Sequence, residues 1–197
     1  MKSSGQYQLG LKIGRRFGVA TNIDVSIRYS SHLPVLVECM NRTKGDVLEL
    51  GPGVFSTPIL HWLCETKRRN LLTIETDPKW FRFCSKYYRT AYHKFLHVKH
   101  WDDAKEAISK PWDVVLIDHS PSARRVTEIA TLADKAKYIV IHDTEDWKDY
   151  EYHYSTIYPL FKYRYNFRDA DHNTSLVSNL VNLDDFTVYE SAEEVRV

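Results

Sequence analysis

Glycine is scarce in this chain and unevenly placed. All seven glycines lie at or before Gly53, and four of them come before Gly45. Residues 1–30, which hold those four, show no apolar period and read as a flexible N-terminal arm. Cysteine is scarce too. Cys39, Cys64 and Cys84 form an odd set with no paired spacing, which excludes a disulfide framework or a cysteine-based zinc knuckle. Each falls in an apolar helical pattern and reads as a small core residue. Long hydrophobic runs are missing: nothing approaches the ~18 apolar residues of a membrane span, and the N-terminus has no continuous apolar leader. The expected setting is therefore cytoplasmic, with no membrane partner. An excess of one charge is also missing. With 27 Lys and Arg against 26 Asp and Glu, the net charge of +1 removes any global electrostatic case for nucleic acid. The short basic run "KIGRR" reads as a solvated face.

What is present suits one globular domain, with 43% hydrophobic residues in a chain of 197. From Ser31 onward, apolar periods alternate between the helical and extended kinds. "SSHLPVLVECMNRTKG" reads as a helix with a serine start and Gly45 as its stop, and "DVLEL" as a strand. "TPILHWLCETKRR" reads as a helix capped by Thr57, and "LLTIET" as a strand. "PKWFRFCSKYYRTAYH" is helical, "FLHVKH" extended, "DDAKEAISK" a short helix and "WDVVLID" extended. "SARRVTEIATLADKA" is helical and "YIVIHD" extended. Short apolar strands between helices predict an α/β, doubly wound, mostly parallel sheet. A Tyr-rich helix "DYEYHYSTIYPLF" and a hairpin built from "KYRYNFR" and "TSLVSNLVNL" complete a single domain over 31–185. An acidic tail over 186–197 follows. There is no internal repeat, low-complexity tract or domain linker.

The most informative stretch is "DVLELGPGVFSTP", a strand running into Gly-Pro-Gly and then a helix. In open α/β sheets ligands sit outside the carboxyl ends of the strands. Gly51 and Gly53 let the backbone approach a ligand, and the helix presents free N–H groups to the same place. A dinucleotide fingerprint needs a third glycine where Ser56 stands, so that fingerprint is incomplete. Two carboxylates sharpen the site: Glu49 ahead of the glycines, and Glu75 at the end of the second strand, where it can accept both hydroxyls of a ribose.

As a set, these segments resemble the class I S-adenosylmethionine-dependent methyltransferases. "LELGPGVFSTPIL" is similar to the first motif of that family, "TIETDPKWF" to the second, "WDVVLIDHS" to the fourth-strand motif and "YIVIHDTE" to the fifth. The resemblance covers about Asp46 to Glu145. It implies a seven-stranded sheet of order 3-2-1-4-5-7-6 with strand seven antiparallel and helices on both faces. It also implies S-adenosyl-L-methionine as cofactor. Glu49, Gly51, Pro52, Gly53 and Ser56 would form the loop at its methionine end, and Glu75 with Thr76 would hold the ribose. Trp80 would lie near the adenine, with Asp102 at the family's adenine-contacting position and Asp118 at the end of strand four. Trp101 either stacks on the base or belongs to the core. Phe55-Ser56 stands where many members have a glycine, so the loop departs from the usual pattern.

Methyl transfer asks the protein to align an acceptor and, for a hydroxyl, to remove its proton. Asp118, His119, His142 and Asp143 fall at the ends of strands four and five. His119 is the expected base, with His142 either assisting or pointing into the sheet. Asp118, Asp143 and Glu145 form a candidate oxygen set for Mg²⁺, the alternative being that Asp118 and Asp143 cap the helices that follow. Arg124 and Arg125 either grip an anionic substrate group or lie on a solvated helix face. Tyr150, Tyr152 and His153 are candidate pocket residues in a segment that otherwise packs. No N-P-P-Y signature is present, which favours O-methylation of a small molecule over methylation of an amino group, with no nucleic acid partner expected. A homodimer is left open. Aminopropyl transfer, a NAD-dependent oxidoreductase and a non-catalytic binding module are the alternatives. "IDHSP", lacking a second acidic residue, speaks against the first.

Overall fold

The computed structural model describes residues 27–188. Its strands are β1 (Val47–Leu50), β2 (Leu71–Glu75), β3 (His93–His97), β4 (Trp112–Ile117), β5 (Ala136–His142), β6 (Tyr163–Phe167) and β7 (Thr174–Ser178). They form one sheet of order β3-β2-β1-β4-β5-β7-β6, the order the resemblance implies. The pairs among β1 to β5 are parallel, and β7 runs antiparallel to both β5 and β6. The fold is α/β and doubly wound.

The strand alternation divides the core in two. Val47, Val114, Leu116, Tyr138 and Val140 face α1 (Leu33–Asn41) and α2 (Ser56–Lys67), where they meet Val35, Leu36, Met40 and Leu60. Leu48, Leu50, Val115, Ile117, Ile139 and Ile141 face the other layer. There they meet Ile129 and Leu132 of α5 (Arg125–Leu132) and Tyr152 of α6 (Asp149–Tyr152). Helices α3 (Pro78–Tyr88) and α4 (Lys105–Ile108) complete the order. The three cysteines are buried and free, as expected. No helix among the described residues is long and apolar enough to cross a membrane.

Several boundaries differ from the sequence reading, each for a local reason. Strand β3 begins at His93, ahead of "FLHVKH", because the register with β2 starts at the Leu71–His93 pair. Helix α2 begins at Ser56 and is not capped by Thr57, whose hydroxyl instead accepts from Gly53 N–H and donates to Glu49. The Tyr-rich helix breaks after one turn. His153 takes a left-handed φ of 58°, and two 3-10 turns follow. Asp149 accepts from both the amide and the hydroxyl of Ser155, drawing the chain out of the helical path. Helix α5 ends at Leu132, and Ala136, expected to be its last residue, opens β5. Phe186, assigned to the tail, is buried against Tyr138 and Tyr165. Residues 27–30, expected in the arm, form a 3-10 turn. The remainder of the arm and residues 189–197 of the tail lie outside the described residues.

Candidate active site

The turn after β1 is built around one backbone constraint. Gly51 has φ +86°, and a Cβ placed there would lie 2.6 Å from His119 Cα and 2.7 Å from the Asp118 carbonyl. Only glycine fits, because the turn leans directly on the end of β4. Its N–H donates to the Ile74 carbonyl, which ties the turn to the end of β2 as well.

Glu49 lies beneath this turn, fully buried. Its Oε1 accepts from the hydroxyls of Ser56 (2.7 Å) and Thr57 (2.9 Å), and its Oε2 from Thr73 (2.7 Å). The expectation that Glu49 contacts the cofactor is therefore corrected: it holds the loop from below. Burial pushes its carboxyl up to about 7, against the pull of the three hydroxyls. The network continues inward. Thr73 donates its one proton to Glu49, so His93 Nε2 is the donor to Thr73 Oγ1 at 2.8 Å. His93 Nδ1 then accepts from His61 Nδ1 at 3.2 Å.

Above the turn is a cavity of about 180 Å³ lined by Tyr29, His32, Gly53, Phe55, Ser56, Trp80 and Asp118, among others. The Trp80 indole N–H donates to the Pro52 carbonyl at 2.5 Å, so α3 and the turn form one wall. Glu75 ends β2 with its Oε1 fixed by the amides of Thr76 (2.5 Å) and Asp77 (2.7 Å). The hydrogen bonds to its carboxylate fall on Oε1, which leaves Oε2 for a ligand. Asp102 is largely exposed and pairs with Arg124 at 2.7 Å. Trp101 is buried, its indole N–H donating to the Ser120 carbonyl and its ring packed on His119. It is a core residue, the second of the two readings the sequence left open.

The ends of β4 and β5 hold a dense charge network. Asp118 Oδ1 accepts from Arg125 at 3.0 Å and lies 3.2 Å from His142 Nδ1, while His142 Nε2 lies 3.0 Å from Ser31 Oγ. Burial would raise the Asp118 carboxyl, but His142 and Arg125 hold it well below the usual range. Burial would lower the His142 imidazole, but Asp118 keeps it above its ordinary value. His32 packs edge-on against His142 at 4.8 Å, and burial, with His142 second, lowers it to about 4. Asp143 takes a left-handed φ of 60° at the strand end. Its carboxylate meets Lys148 at 2.8 Å, His172 at 3.1 Å and the Tyr152 hydroxyl at 3.1 Å.

Further expectations change here. His119 is not placed as a base: it is buried on the α5 side, packed on Trp101 and 3.4 Å from Glu128. Arg125 does not grip a substrate. It is buried, and donates to the carbonyls of His119 and His142 and to Asp118. Arg124 is occupied by Asp102 and Glu128. Tyr150 is 76% exposed, whereas Tyr152 bonds Asp143 and His153 ends α6. The oxygen set splits as well. Asp118 groups with His32 and His142, while Asp143 and Glu145 group with His172 around the Lys148 ammonium. Among the described residues these three carboxylates do not converge on one Mg²⁺ site. Tyr29, Ser31, His32 and His172 were missed. Tyr29 fell in the assigned arm and Ser31 and His32 read as a helix start, and no local pattern distinguishes a histidine that tertiary packing brings to a strand end.

No family model and no curated protein matches the chain. Solved structures do. The human methyltransferase-like protein 13 in complex with SAH aligns with a TM-score of 0.53 at 13% identity, over 80% of this chain and 82% of that one. The METTL16 MTase domain aligns with a TM-score of 0.59 at 10% identity, over 86% and 76%. A spermidine synthase in complex with a transition state analogue aligns with a TM-score of 0.55 at 13% identity, over 78% and 59%. The fold is that of the class I methyltransferases. At these identities the likeness concerns the fold, and function has to be argued from the site.

Proposed function

We propose that this protein is an S-adenosylmethionine-dependent methyltransferase acting on a hydroxyl of a small molecule. The observation that carries the reading is the Gly51 turn, where no Cβ fits, beside a cavity walled by Trp80 and Phe55. Next to it Glu75 carries an oriented carboxylate with Oε2 uncommitted. These residues suit the cofactor: Glu75 accepts the ribose hydroxyls, and Trp80 and Phe55 offer apolar faces. When bound, the cofactor supplies an activated methyl group. The chain's own part is to orient the acceptor, exclude water and take up its proton. Asp118 and His32, on the cavity wall, are the groups that receive the acceptor, with His142 behind Asp118.

Calorimetric titration with S-adenosylmethionine tests this. We expect micromolar affinity, weakened at least tenfold in Glu75→Ala, with methyl transfer to a panel of phenols and alcohols. Unchanged affinity in the variant would remove the ribose assignment. Preference for the decarboxylated cofactor would favour aminopropyl transfer, the chemistry suggested by the spermidine synthase likeness.

A further inference from the structure

We propose that His32, Asp118 and His142 form a binding site for a divalent transition-metal ion of the Zn²⁺ class. One ligand atom from each lies within 4.8 Å of the others. Two imidazoles and one carboxylate are borderline donors that suit Zn²⁺ or Co²⁺ far better than Mg²⁺, which prefers oxygen.

The second observation is His32 itself. The residue is 1% exposed, yet neither ring nitrogen has a hydrogen-bond partner. A buried imidazole with both nitrogens unsatisfied is costly, and a metal ion would take its lone pair. The remaining geometry agrees. Asp118 Oδ1 and His142 Nδ1 are 3.2 Å apart. Two ligand atoms about 2.0–2.1 Å from one tetrahedral centre are about 3.3 Å apart. Ser31 Oγ meets His142 Nε2, fixing the ring so that Nδ1 faces Asp118, as outer partners of metal-bound histidines do. Arg125 contacts Asp118 only through Oδ1, so the second oxygen is not engaged by it. His32 and Asp118 also line the cavity, so a further coordination position would open into it. The neighbouring Asp143–Glu145–His172 group is a poorer candidate, because Lys148 already supplies its cation.

The consequence for methyl transfer rests on the proposed function, whereas metal binding does not. A bound ion would lower the pKa of an acceptor hydroxyl directly.

The test uses the full chain, stripped with a chelator and titrated with Co²⁺ while its visible d–d absorption is followed. Zn²⁺ competition and metal analysis after dialysis accompany it. We expect one equivalent per chain, with affinity falling more than tenfold in His32→Gln and in His142→Gln, by about tenfold in Ser31→Ala, and not at all in His172→Gln. Circular dichroism checks that the variants fold. Absence of uptake by the folded wild-type chain would overturn the proposal. So would uptake that persists in both His32→Gln and His142→Gln, or that is lost only in His172→Gln. Parallel titration with S-adenosylmethionine separates the two ideas: metal uptake without cofactor binding would sink the methyltransferase reading and leave this site standing.

Discussion

Glu49 shows how one buried carboxylate can report on the site above it. Its carboxyl titrates near 7 in the folded chain and near its ordinary 4.5 when exposed. Between those values the folded state holds the extra proton. The associated stability is complete below about pH 4.5, declines as pH rises, and is gone once pH passes the folded value. The interval corresponds to about 3 kcal/mol. Glu49→Gln cannot ionise, so its unfolding free energy relative to wild type should rise by up to that amount between pH 4.5 and 8 in urea titrations. A difference that stays flat with pH would show that Glu49 does not titrate there. Gly51→Ala belongs to the same scale. A methyl group at 2.6 Å from backbone, at positive φ, should cost several kcal/mol and weaken cofactor binding together with stability. Retained thermal stability would show that the turn can move away from β4.

Among the elements, the ends of the helices matter more than their middles. Helix α3 starts on Asp77, whose Oδ1 accepts from the amides of Lys79 (2.8 Å) and Trp80 (2.6 Å). Trp80 is therefore positioned by its own helix cap. Asp77→Ala should cost about 1 kcal/mol of stability and also weaken cofactor binding, whereas Asp77→Asn should keep most of both. Equal cofactor affinity in all three proteins would separate Trp80 from the cap. Helix α1 ends differently. The buried Arg69 donates to the carbonyls of Met40, Thr43 and Gly45 and to the Thr43 hydroxyl. It satisfies groups that a helix end leaves open. At this scale the sequence was readable wherever the apolar period was clear, as in the bodies of α1 and α3, in β4 and in the hairpin, although α1 starts on His32 with no side-chain cap and ends at Asn41, short of Gly45. It failed in the Tyr-rich segment, where a side chain, Asp149, competes for the backbone.

For the whole molecule, the C-terminal segment is part of the core through at least Phe186. That ring packs on Tyr138 and Tyr165, and Arg42 lies 4.8 Å above it. Phe186→Ala should destabilise by about 3 kcal/mol or more in denaturant titration, and a loss under 1 kcal/mol would return the residue to the tail. The α/β class was legible in the sequence. Alternating short apolar strands and helices bury their faces as a mostly parallel sheet covered by helices, the resemblance supplied the strand order, and the glycine turn after β1 marks the carboxyl end of the sheet. The Trp80 wall of the cavity and the oriented Glu75 carboxylate were legible for the same reason: both residues follow a strand end at short range. The arrangement at the ends of β4 and β5 was not. His119 and His142 look alike as residues flanking strand-end aspartates, and only packing turned the first towards Trp101 and α5 and the second towards Asp118. His32 carries no local signal at all. It reaches Asp118 and His142 because α1 packs against β4 and β5, a contact between segments far apart in sequence that depends on both helix and sheet being in place.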